Sequence, residues 1–213
     1  MKRNTVSGLA LILGSICFLI TMGLHPTSGS LDGLVQEASI RVGTHSLGLV
    51  SIAVTFFGML GLHSRLQSDV VYAPAALVAY AFASVAAMCA AVINGLAAPA
   101  FATRMAPDPN LHETARAILT YSSQLNAGFA RVFMVGVAAA LVLWAISIGR
   151  THALPRWAAW LGGLSGIAGL VGVLGGFLGV GVHEFGAFIL GFAVWTIPVG
   201  VLLLRSSGAE RVA

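Results

Sequence analysis

The sequence predicts an all-α, polytopic membrane protein with six transmembrane helices. Three observations carry this. The 213 residues are 58% hydrophobic and only 8% charged, with a mean hydropathy of +0.93. Soluble domains carry about 25% charged residues, so lipid has to cover most of this surface. The apolar residues also fall into separate runs close to the roughly 20 residues that a bilayer core requires. Finally, the basic residues sit singly or in pairs between those runs, as topology signals do.

The first predicted span covers residues 8–24. Its basic start and apolar core resemble a signal peptide, but no small-x-small cleavage site follows, and the run ends in Leu24-His25-Pro26. It is read as a retained span. The remaining spans are placed at 43–62, 72–98, 127–148, 157–180 and 183–204, forming one transmembrane domain over residues 1–213. Residues 25–42 and 99–126 form long extracytoplasmic loops or helix extensions. In the first, Asp32 is a candidate helix cap, and Leu34, Ala38 and Arg41 run into span two without a break. In the second, Pro107 and Pro109 end one element and Asn110 is a candidate cap for the next. From Leu111 to Ile148 no proline and only isolated glycines such as Gly128 interrupt, so one long helix is expected, with its first turns outside the bilayer.

Charge sets the orientation. With the N-terminus inside, Lys2, Arg3, Arg65, Arg150, Arg156, Arg205 and Arg211 collect on the cytoplasmic side. Arg41, Arg104, Arg116 and Arg131 lie outside, with Asp32, Glu37, Asp108, Glu113 and Glu184. This positive-inside bias puts both termini in the cytoplasm. The pI near 9.7 does not indicate nucleic acid, because no basic patch with interleaved aromatics exists. Cys17 and Cys89 lie within apolar runs and read as small buried hydrophobes. No matched motif relates the two halves of the chain, which gives little support to an inverted repeat.

The stretch GLSGIAGLVGVLGGFLGVGVHEFG, residues 163–186, carries glycine at short, regular intervals. A dinucleotide fingerprint would need a preceding strand, and only aliphatic residues surround these glycines. Gly163, Gly166, Gly169, Gly172, Gly175 and Gly176 instead read as a smooth packing face that lets another backbone approach. Span five is therefore expected to be the most central helix, or a seam with a second copy or a membrane-complex partner. Gly179 and Gly181 loosen the chain for a reversal before span six.

A set of polar residues falls at the outer ends of the spans: His25, Arg41, His45, Asn94, Asn126, Arg131, His183 and Glu184. One reading places them in the headgroup region, solvated or weakly paired. The other is a site between helices. Arg131 lies near the edge of the hydrocarbon, where a charge normally faces a partner, and Glu184 is the acidic residue nearest in depth. An Arg131–Glu184 pair is the resulting expectation. His25, His45 and His183 come from three helices at similar depth and are the candidate ligands for copper or haem. No paired-histidine or C-x-x-C motif supports such a site, and no cofactor is expected.

The segments ALPRWAAWLGGLSGIAGLVGVLGG and GFAVWTIPVGVLLLRSS resemble the last two spans of small bacterial six-span membrane proteins grouped as a domain of unknown function. Leu154, Pro155, Arg156 and Trp157 at the start of span five, and Trp195 in the last span, carry the resemblance. It implies the six-span fold and a bacterial cytoplasmic membrane, and no chemistry. The residues lead to the expectation of a non-catalytic interaction or complex-subunit protein with an outer polar cluster. A small transporter or channel, a histidine-ligated redox protein and, last, a membrane hydrolase are the alternatives.

Overall fold

The computed structural model describes residues 3–209. It is helical, with no strand among the described residues, and six of its helices are long and apolar enough to cross a membrane. These are α1 (Arg3–Gly23), α3 (Ala38–Arg65), α4 (Tyr72–Val92), α6 (His112–Thr151), α7 (Arg156–Leu174) and α8 (Val182–Ala209). Two short helices, α2 (Leu31–Gln36) and α5 (Ala98–Met105), lie in the long connections.

Sequence neighbours pack side by side, and the last spanning helix closes on the first. The order around the bundle is α1, α3, α4, α6, α7, α8 and back to α1. Large side chains fill the inside of this ring. Tyr80 stacks on Phe192 with ring centroids 6.0 Å apart, and Trp144 stacks on Trp195 at 5.9 Å. Phe18 meets Phe192 edge-on at 6.4 Å. Trp195 Nε1 donates to the Ala158 carbonyl at 2.9 Å, so its one polar group is met.

Small residues set the seams. Gly8 of α1 lies so close to Gly200 of α8 that a Cβ there would meet the Gly200 carbonyl at 2.5 Å. A Cβ on Gly58 of α3 would lie 2.8 Å from the Leu11 amide of α1. Ser15 and Thr196 share a buried hydrogen bond of 2.6 Å across α1 and α8. Close backbone approach of this kind replaces the hydrophobic drive that lipid cannot supply.

The helix boundaries have local causes. Asp69 accepts from the Val71 and Tyr72 amides, both at 3.0 Å, and starts α4. His152, at φ 51°, ends α6 in the left-handed region, and Pro155 precedes α7. In the first long connection Ser30, rather than Asp32, caps the helix: its hydroxyl accepts from the Gly33 amide at 3.1 Å. Asp32 sits in the first turn, where a carboxylate suits the helix dipole. In the second, Asp108 rather than Asn110 caps, accepting from the Asn110 amide at 2.9 Å, and what it caps is a single 3-10 turn, Pro109–Leu111; α6 follows it without a side-chain cap. The long helix expected from residue 111 onward is α6, with 40 residues. At about 1.5 Å per residue it is roughly twice as long as a ~30 Å hydrocarbon core is thick. Its first turns join α2 and α5 in a second small core of Leu31, Leu34, Ala102 and Ala115.

Span five differs from its expectation. α7 stops at Leu174, short of the predicted residue 180. Gly175 and Gly176 are exposed and belong to the turn, not to a packing face; Gly176 takes φ +76°, which a side chain disfavours. Nor is α7 central: it has the smallest buried share of the six spans, and α6 the largest. The glycine face itself is real. A Cβ on Gly166 would meet the Ala138 carbonyl at 2.7 Å, and one on Gly169 would meet Ala138 at 3.0 Å and Phe188 at 3.1 Å. Gly163 looks across at Ala145, and Gly172 at Leu178. These partners lie within the same chain, on α6, on α8 and in the turn after α7.

Candidate functional site

The end of the ring that carries His25, His45 and Asn94 holds a cavity of about 270 Å³. Its walls come from α1, α3, α4, α6 and α8, and α7 takes no part. Phe18, Phe133 and Phe185 make the apolar wall, with the aromatic core beyond it. His25, Arg41, His45, Asn94 and Asn126 make the polar side.

Arg41 organises that side. Only 2% of its surface is exposed. Its Nη2 donates to the Ser28 carbonyl at 2.6 Å and to Glu37 Oε2 at 3.1 Å. Its Nη1 donates to Asn94 Oδ1 at 3.3 Å. The guanidinium thus ties the α1–α2 connection, the start of α3 and the end of α4 together. Its Nε is buried without a partner.

Asn94 passes the contact on: its Nδ2 donates to His45 Nε2 at 3.3 Å. The tautomers follow from the carbonyls. His45 Nδ1 faces the Arg41 carbonyl at 2.9 Å, and His25 Nδ1 faces the Pro26 carbonyl at 2.9 Å. A carbonyl only accepts, so Nδ1 of each neutral ring carries the proton. Nε2 of His45 then receives the Asn94 amide, and Nε2 of His25 is left as an acceptor on the cavity wall. The two rings meet edge to face, 4.9 Å between centroids. His25, beyond the end of α1, is held below the ordinary histidine value by burial and by the Arg41 charge, against the Pro26 hydrogen bond.

A break in helix α4 puts Asn94 there. Residues Ile93–Ala97 form a single π-helical turn, with the Ala98 amide bonded to the Ile93 carbonyl. Pro99 supplies the reason. It has no N–H for the Gly95 carbonyl four residues back, and its ring would crowd that carbonyl. The wider turn accommodates both effects and turns Asn94 toward Arg41 and His45. Gly95 is the other requirement, since a Cβ there would fall on the His45 ring.

The expected outer cluster therefore divides. His25, Arg41, His45, Asn94 and Asn126 come together around one cavity. Arg131, His183 and Glu184 do not join them: all three are exposed. Among the described residues no ion pair links Arg131 to Glu184. The Glu184 carboxylate instead lies over Gly181. With His183 outside, the three-histidine ligand set is not assembled, and no group of three metal-ligating side chains occurs among the described residues. A bis-histidine haem does not fit either, since rings in edge-to-face contact leave no room for a macrocycle between them. The buried Arg41 charge beside them disfavours a metal cation further.

Sequence reasoning missed the Ser28 carbonyl and the π turn. Pro99, five residues after Asn94 and just past the end of the predicted span at 98, was the available signal for the turn. The backbone contact had none. Comparison with protein-family models, with curated proteins and with solved structures finds no match.

Proposed function

We propose that this chain is a ligand-binding membrane protein that holds a small amphipathic molecule in the outer half of its helix ring. The carrying observation is the cavity itself: an apolar wall of phenylalanines facing a fixed set of polar groups, the usual make-up of a small-molecule site. Supporting it, Asn94 is held between Arg41 and His45 by one hydrogen bond to each, so the polar side is pre-organised. The aromatic packing beyond Phe18 and Phe133 favours binding over a through-pore. The positive-inside bias supports both termini inside, which opens the cavity toward the outer side, and the resemblance at Leu154–Trp157 and Trp195 supports a bacterial cytoplasmic membrane. The interaction-subunit reading would need a face other than the glycine face of α7, which the chain itself covers.

The test is native mass spectrometry of the protein released from zwitterionic nanodiscs supplied with 1-decanol. The wild-type protein should retain one decanol, and Ala130→Phe, which fills the cavity from α6, should retain none while keeping its helical circular dichroism. Equal retention by both proteins would sink the reading.

A further inference from the structure

Outside the ring lies a second and larger cavity, of about 490 Å³. Its lining differs in kind. Hydroxyl and amide side chains from the α1–α2 connection and from the protruding turns of α6 surround it, with Asp32, His112 and Arg116 among them. Four residues border both cavities: Ser28, Arg41, Asn94 and Ser123. The clasp that ties α3 to the π turn therefore lies where a polar chamber adjoins an apolar one.

We propose that the two chambers form one compound site for a single-chain amphiphile with an anionic oxygen head, a phosphate or carboxylate, the head lying in the outer chamber and the chain in the ring cavity. This rests on the function proposed above and names its ligand class. Size limits the chain: the ring cavity falls below the ~300–1,000 Å³ typical of small-molecule pockets, which suits one short chain and not two. Charge selects the head. Arg41 and Arg116 border the outer chamber against one carboxylate, Asp32. Glu37, which offsets Arg41, stands outside the lining. Arg41 Nε is also buried without a partner, and buried donors are rarely left so. An anionic oxygen is the acceptor that a guanidinium binds most strongly. A free anion would leave the apolar chamber unused, and a neutral chain would leave the Arg41 and Arg116 charges of the outer chamber unused.

The experiment compares three probes on the full chain in zwitterionic nanodiscs: decyl phosphate, 1-decanol and inorganic phosphate. Decyl phosphate should bind at least about tenfold more tightly than either of the others, about 1.4 kcal/mol in binding free energy. Arg116→Gln, an exposed position, should weaken decyl phosphate and leave 1-decanol unchanged. Equal affinity for decyl phosphate and 1-decanol, with no effect of Arg116→Gln, would overturn the head-group assignment and leave the binding function standing. Inorganic phosphate binding as tightly as decyl phosphate would overturn the amphiphile in favour of a free anion. Failure of both decyl compounds to bind would remove the binding function along with the inference.

Discussion

Asn94 stands between Arg41 and His45 and is hydrogen-bonded to both, its oxygen to the guanidinium and its nitrogen to the imidazole, each at 3.3 Å. The two functions are not interchangeable. Swapping the amide would set a nitrogen against a donor and an oxygen against a lone pair. Asn94→Leu keeps the approximate volume and removes both bonds, leaving a buried donor and a buried acceptor unmet. The expected loss is about 1–3 kcal/mol, read as a lower unfolding midpoint in nanodiscs. An unchanged midpoint would mean that water already serves these groups.

The His25 ring predicts a pH dependence. Its proton is bound more weakly in the folded protein than in the unfolded chain, where the ordinary value is 6.5. Above that value both states are neutral and stability does not respond. As pH falls through 6.5, the unfolded chain takes up the proton first, so stability declines until the folded ring protonates as well. His25→Asn keeps a donor for the Pro26 carbonyl and cannot titrate. Its unfolding midpoint should fall less steeply than that of the wild type between about pH 7.5 and about pH 5. Parallel curves would rule out His25 as the source.

Helix α7 supplies a contrast between glycines. Gly166→Ala pushes a methyl group against the Ala138 carbonyl and the Val142 amide, both backbone atoms that cannot swing away. It should destabilise by about 1–3 kcal/mol. Gly128→Ala, in α6 with nothing within 4 Å of the added carbon, should be neutral or slightly stabilising. If both variants behave alike, the α6–α7 seam is looser than described.

Arg131 and Glu184 should be independent. Both are exposed and share no ion pair, so Glu184→Gln, Arg131→Met and the double variant should give additive changes in unfolding midpoint. A clear coupling would mean that the two side chains meet in the bilayer.

These comparisons also show which features a sequence exposes. Six spans and the 40-residue helix were legible because apolar length and the absence of breakers act locally. The polar residues of the cavity were legible as types at a depth, since His25, His45 and Asn94 had to share one end of the bundle. Which of them meet depends on rotation about each helix axis. That rotation is set by packing at Gly8, Gly58 and Gly166 and by the π turn, and no single-helix pattern records it. Arg131 and His183 share the right depth and face the wrong way. The centrality of span five was misread for a related reason: glycine marks close approach to one neighbour, and α7 has its closest approach to α6 while its other side remains uncovered.

The π turn at Ile93–Ala97 has an evolutionary implication. A π turn behaves as a one-residue insertion, and each residue of an α-helix advances the register by about 100°. Deleting a single residue between Ile93 and Ala97 would tend to return the segment to ordinary α geometry and would swing Asn94 out of reach of its partners. Selection for robustness and selection for recognition therefore oppose each other at this turn. A lineage that dispensed with the Arg41–Asn94–His45 contacts would be free to shed the residue, so a one-residue gap here would mark descendants that kept the scaffold and gave up the cluster.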